Sequence, residues 1–227
     1  MDTVCISLGG SIISKHDGVN VDYIRKLKVL LKDYSKSKFI IVVGGGYASR
    51  LYIDSSRQII KNNSVLDEIG IAITRINALI LKDLISDLDV YPNVITSIDE
   101  LRSAINTNRI AIMGGLVPGI STDSVATMSA EIVGSKILIN VSSSSYVYDM
   151  PPDRDGAKKL KSLNHAKLIE IASLWDTREA GSNFVFDLMA SKLARRGNIE
   201  VRFVNDDTEQ LKNAIEGREI NGTTVKE

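Results

Sequence analysis

The chain has 227 residues, 44% of them hydrophobic, enough apolar surface for a full core and incompatible with a disordered chain. Lys plus Arg and Asp plus Glu both number 28, and with zero formal charge and no basic block an extended polynucleotide partner is not expected. One cysteine, Cys5, rules out a disulfide framework or a CxxC metal cluster. No apolar run reaches membrane length, and the first fifteen residues lack the basic and apolar regions of an export signal, so the expected location is the cytoplasm.

The first apolar run, 3–8, predicts a buried strand that feeds Gly9-Gly10-Ser11. Helical spacing follows over Val21 to Tyr34, where Ile24, Leu27, Val29, Leu30 and Leu31 form one stripe. A second strand, 38–43, runs into Gly44-Gly45-Gly46 and a helix over Ala48 to Ile60 that carries Arg50. From Leu66 to Leu88 apolar residues recur at helical spacing, with Asp67, Thr74 and Arg75 interrupting the first turns. The strand 109–113 opens into Gly114-Gly115 and then Pro118 to Ser124, leading to a helix over Asp123 to Val133. The strand 136–141 precedes Ser142-Ser143-Ser144-Ser145-Tyr146-Val147-Tyr148, and Pro151 to Gly156 reads as a surface turn. Helices over 166–173, 186–196 and 208–215, a strand over 200–204 and a short strand over 222–225 complete the chain. Strands alternating with helices predict a parallel α/β sheet, as one domain or as two lobes sharing that sheet.

Three of these strands end in glycine. Glycines remove the Cβ atoms that would keep a phosphate off the backbone, and the first N–H groups of the next helix are open donors at its positive end. Arg50, one turn into its helix, adds a charge-assisted fork. In an open parallel sheet the carboxyl ends of the strands share one edge, so three such loops suggest two phosphate-bearing ligands side by side. Each feature also has a plainer reading: a strand-to-helix turn for the triplet, and a helix N-cap for Ser121, Thr122 and Ser124. The four serines, between a buried strand and Tyr146-Val147-Tyr148, read as an ordered polar loop at this edge rather than a linker. Cys5 is expected in the core, and His16 and His165 on the surface.

Taken in order, several segments resemble the amino acid kinase family and, within it, the archaeal type of uridylate (UMP) kinase. They are Ser7-Leu8-Gly9-Gly10-Ser11, Val42 to Gly46 with Arg50, Asp67 to Ala78, Met113 to Asp123, Ala180-Gly181-Ser182 with Asp187 to Ala194, and Gly222-Thr223-Thr224. The resemblance implies a three-layer αβα sandwich around a mostly parallel sheet, with an acceptor (UMP) lobe near 1–133 and a donor (ATP) lobe near 134–227. It implies transfer of the γ-phosphoryl group of ATP to UMP, giving UDP and ADP in pyrimidine nucleotide synthesis. UMP would meet Gly45, Asp67 and the run Leu116, Val117, Pro118, Gly119, Ile120, Ser121 and Thr122. ATP would rest on Gly10, Ser11, Gly46, Arg50, Ser142, Ser143 and Tyr148, with Mg²⁺ held mainly by the phosphates and no protein metal ligand assigned. Arg50, Lys192 and Gly10 take the catalytic roles, because phosphoryl transfer asks a protein mostly for positioning and charge neutralisation. For Lys192 a solvated helix lysine beside Arg195 and Arg196 is the alternative. The family also implies a homo-oligomer, a hexamer built from dimers.

The chain departs from that pattern at two places. Ser7 stands where many members carry a lysine that touches the transferring phosphate. Ser142 to Tyr148 stands where the family reads Thr-Asn-Val-Asp-Gly-Val-Tyr, so Tyr146 replaces a glycine and the loop is expected to differ in shape. Pro151 also takes the place of an acidic residue, for which Asp149 or Asp153 could substitute. The donor side is thus altered and the acceptor side intact. Two rivals follow: a UMP-binding sensor that has lost turnover, and an isopentenyl phosphate kinase. The second is disfavoured because Tyr47 to Leu51 lacks the histidine that those enzymes carry.

Overall fold

The computed structural model describes residues 3–152, 154–175 and 186–227. In chain order the elements are β1 (Thr3–Leu8), α1 (Gly10–Ile13), β2 (Ser14–Lys15), β3 (Gly18–Val19), α2 (Val21–Asp33), β4 (Lys38–Val43), α3 (Gly46–Ser56), α4 (Asn63–Leu84), α5 (Ile98–Thr107) and β5 (Ile110–Met113). Then come α6 (Thr122–Ile132), β6 (Ile137–Val141), β7 (Val147–Tyr148), β8 (Lys159–Leu160), β9 (Ser162–Leu163), α7 (His165–Trp175), α8 (Leu188–Arg196), β10 (Glu200–Val204), α9 (Thr208–Ile215) and β11 (Thr223–Val225).

The main sheet runs β5-β4-β1-β6-β10-β11-β9, and every pairing in it is parallel except β10 with β11. Its central strands are apolar at nearly every position because both faces are covered. On one face Ile6, Leu8, Phe39, Ile41, Ile112 and Ile139 pack with residues of α2, α4 and α9. On the other, Cys5, Ile40, Val42, Met113 and Leu138 pack with α5, α6, α7 and α8. The mostly parallel αβα sandwich is therefore as expected, and Cys5 is a core residue. Among the described residues no helix is long and apolar enough to cross a membrane.

The helix expected from Leu66 starts earlier, at Asn63, because the Asn62 side chain accepts from Ser64 N–H and caps it. One whole helix, α5, escaped the sequence reading. Ser97 caps it by accepting from Glu100 N–H, while Glu100 reaches back to Thr96 N–H, so a Ser-x-x-Glu capping signal was there to be found.

His165 is a correction. It was expected at the surface but is 1% exposed, with its Nε2 bonding the carbonyl of Ile199, the residue before β10, at 2.8 Å. His16 is exposed, its ring 5.0 Å from that of Tyr47.

Candidate active site

The carboxyl ends of β1, β4 and β6 lie side by side, since Ser7 pairs with Val42 on one flank and with Asn140 on the other. Gly44 N–H donates to the Leu8 carbonyl and Gly9 N–H to the Val141 carbonyl, which ties the first glycine loop to its neighbours on both sides. A Cβ on Gly10 would stand 2.0 Å from the Gly46 nitrogen, and Gly46 has φ +65°, so the two loops cross backbone on backbone. Only glycine permits that approach and that conformation.

Above the crossing lies a cavity of about 570 Å³. Gly10, Ser11, Gly46, Arg50, Thr122, Ser142, Ser143 and Tyr148, all expected at the site, line it. Met150, Pro151, Pro152, Leu168, Ile171 and Phe186 form an apolar end, of which the sequence pointed only to Pro151. Gly45 caps α3 without a side chain, which leaves early helix N–H groups for other acceptors. Arg50 is half-buried at the rim and makes no hydrogen bond or ion pair with the described residues, so its guanidinium is available to an anion.

Strand parity sets the floor. Cys5 and Ser7 share the face covered by α6, and so do Leu138 and Asn140. Ser7 Oγ donates to Asp123 Oδ1 at 2.6 Å, and Asn140 Nδ2 donates to the same oxygen at 2.8 Å. Burial pushes the Asp123 carboxyl up to about 7, the nearby Asp187 adds to the rise, and the bonds from Ser7 and Asn140 oppose it. Asn140 Oδ1 is buried with no partner, an unspent acceptor beside the cavity. Asp123 and Asn140 were not among the expected site residues. The parity of β1 and β6 was the signal, since Ser7 interrupts an apolar face.

The run 116–122 is held from α4. Gly119 N–H donates to Asp67 Oδ2 at 2.8 Å, Gly115 N–H to Thr74 Oγ1 at 2.7 Å, and Arg75 reaches the carbonyls of Gly115 and Leu116 at 3.1 and 3.3 Å. Asn77 Nδ2 bonds the carbonyls of Gly44 and Gly45, so the same helix also fixes the triplet. Val117, Pro118 and Gly119 are exposed, while Leu116 and Ile120 pack on the core. Ser121 caps α6 through Ser124 N–H and also donates to Asp187, which in turn caps α8.

Lys192 is exposed on α8 and is not among the residues lining the cavity; Asp187, which caps that helix, is buried against Ser121 and Ser124. The segment Ala180-Gly181-Ser182 lies outside the described residues. Tyr146, in place of a glycine, does not take a positive φ, as expected for a bulky residue.

Comparison with known proteins gives the same fold and relatives that match along the whole chain. A uridylate kinase of Thermoplasma volcanium is 34% identical over 227 residues, 100% of this chain and 98% of that protein. One of Methanocaldococcus jannaschii is 33% identical over 226 residues, covering 98% and 99%. The crystal structure of uridylate kinase from Archaeoglobus fulgidus superposes with a TM-score of 0.85 at 31% identity, covering 99% of this chain and 100% of that one. Residues 2–205 match the amino acid kinase family over most of their length, and the chain belongs to that family.

Proposed function

We propose that the protein is a UMP kinase, moving the γ-phosphoryl group of ATP onto the phosphate of UMP to give UDP and ADP. The observation that carries this reading is the cavity where two glycine loops cross beneath an unpartnered Arg50, at one edge of the sheet. The full-length similarity to uridylate kinases supports UMP as the acceptor.

In this reading the donor occupies the cavity. Its base lies at the apolar end against Tyr148, and its phosphates lie over Gly10, Ser11 and Gly46 within reach of Ser142 and Ser143. The acceptor sits between the Gly45 turn and the run 116–122, with Asp67 and the α4 side chains fixing that run and Thr122, on the cavity wall, offering its hydroxyl to phosphate oxygens, while the Ser121 hydroxyl is committed to Asp187. An oxygen of the UMP phosphate, unprotonated near neutral pH, forms the new P–O bond as the bond to the β,γ-bridging oxygen breaks, with ADP leaving with that electron pair. Protein work is then positioning and charge neutralisation, by Arg50, by the Gly10 and Gly46 N–H groups and by α3. Lys192 could add charge only by moving towards the cavity from its exposed position. The hard oxygen atoms of the floor, including the unpartnered Oδ1 of Asn140, suit Mg²⁺ entering on the nucleotide, which when bound supplies further neutralisation of the phosphates.

By this reading residues near 1–133 form the acceptor lobe and 134–227 the donor lobe. A cytoplasmic homo-oligomer, a hexamer by family, fits the exposed apolar side chains Leu51, Tyr52, Ile76 and Leu79 on α3 and α4. The test is ADP release with Mg-ATP and a panel of UMP, CMP, dUMP, AMP and isopentenyl phosphate. A UMP-dependent rate well above the others is expected. No turnover on the panel, with UMP still binding by calorimetry, would overturn the kinase reading in favour of a sensor.

A further inference from the structure

Tyr146 stands where the resemblance puts a glycine, and its side chain is firmly tied. Its hydroxyl donates to Asn221 Oδ1 at 2.6 Å, and the ammonium of Lys159 lies 4.9 Å from its ring centre. Two residues further along the same C-terminal segment, Thr223 is fully buried and joins three pieces of chain. Its N–H donates to the Ser145 carbonyl at 3.0 Å, its Oγ1 accepts from Val147 N–H at 2.9 Å, and the same hydroxyl donates to the Leu160 carbonyl of β8. Between these two, a Cβ on Gly222 would stand 1.9 Å from the Phe203 carbonyl oxygen and 2.8 Å from that of Ser145, so segment 221–223 lies hard against both the loop and β10. The loop's inner bonds are local serine contacts, Ser142 Oγ to the Ser144 carbonyl at 2.7 Å and Ser144 Oγ to the Tyr146 carbonyl at 3.1 Å. Serine hydroxyls alone leave such a loop many alternatives. The long-range ties come from β10, whose Val204 carbonyl accepts from Ser142 N–H, from the pairing of β7 with β8, and, at 145–147, from the C-terminal segment.

We propose that Tyr146 is a positioning residue for the phosphoryl donor: through Asn221, with Thr223 beside it, it fixes the loop 142–148 so that Ser142, Ser143 and Tyr148 stand ready at the cavity. This rests on the donor assignment given above. Tyr146 also gives the loop a tether that a glycine at that position would not supply. A tyrosine anchored at its far end restricts the backbone at 146 by tethering rather than by permitting a special φ.

The experiment compares Tyr146→Phe, Asn221→Ala and their double variant with Tyr148→Ala, reading KM for ATP and for UMP, kcat, and amide exchange at Val147. Asn221 is exposed, so its replacement tests the tie without threatening the core. Loss of one hydrogen bond predicts a rise in KM for ATP of about threefold or more in each single variant, with KM for UMP unchanged. The double variant should be no worse than the singles, and exchange at Val147 should quicken. If Tyr148→Ala raises KM for ATP but Tyr146→Phe and Asn221→Ala do not, the positioning role is wrong while the donor site stands. If Tyr148→Ala also leaves KM for ATP unchanged, the donor assignment itself fails. Equal rises in both KM values would mark Tyr146 as a general structural residue and overturn the proposal.

Discussion

The loops that follow β5 and β6 both leave the carboxyl end of a parallel strand, yet they are held by different means. The run after β5 is fixed by side chains of α4, a helix that precedes it in the chain, with Asp67, Thr74 and Arg75 each bonding its backbone. The loop after β6 is fixed by pieces of chain that follow it, the Val204 carbonyl of β10, strand β8 and the C-terminal segment, and by its own serines. A charged or hydroxyl side chain interrupting the apolar spacing of a helix is a sign that can be read in sequence. A loop tied by short strands from the far end of the chain carries no such sign. The difference explains why the residues that hold the first loop can be picked out in the sequence and those that hold the second cannot.

Breaking the shared element of the two sides should have the largest effect. Arg50→Ala removes the one rim guanidinium that the described residues leave unpaired, and turnover should fall on the order of a hundredfold, with the folded state intact. Steady-state kcat near the parent value would show that charge is supplied elsewhere, Lys192 being the next residue to replace.

Asp67→Asn sharpens the contrast between the sides. Asp67 accepts from Gly119 N–H, and an amide can still accept there but more weakly than a carboxylate. KM for UMP should rise about tenfold, as expected for loss of a charge-assisted bond, with KM for ATP nearly constant. Equal changes in both would mean that the run 116–122 does not belong to the acceptor alone.

The smallest effect concerns the floor between the sides. Asp123 is held near 7 in the folded protein against an ordinary value of 3.8, so the folded state binds a proton that the unfolded chain releases. Its contribution to stability is full below about pH 4 and is lost as the pH rises through about 7. Asp123→Asn cannot ionise, so without nucleotide or Mg²⁺ its urea midpoint should gain on the parent's as the pH goes from 4 to 8. A constant difference across that range would place the titration elsewhere.

The sheet was legible because strands covered on both faces are apolar without alternation, and the three glycine loops gave away the ligand edge. The two-residue strands β2, β3, β7, β8 and β9 were not, since so short a run has no period to detect. At the site, Gly10, Ser11, Gly46 and Arg50 were readable from local chemistry. Asp123 with Asn140 was only half readable: strand parity marks Ser7 as a break in an apolar face, but its partners depend on the register of β1 against β6, which brings Ser7 opposite Asn140. His165 was misread for a related reason: its partner, the Ile199 carbonyl, is a backbone group that sequence does not display.

The place of β1 in the middle of the sheet also bears on how the chain is made. β1 pairs with β4 soon after it in sequence, but its other edge waits for β6, where Cys5 meets Leu138. On a ribosome, the early strands can therefore assemble while one flank of β1 still offers open N–H and carbonyl groups between apolar side chains, the kind of edge that recruits stray strands. The nascent chain must be kept apart from its neighbours until the second half has emerged. The floor of the candidate site waits for the same event, because it does not exist until Asn140 docks beside Ser7.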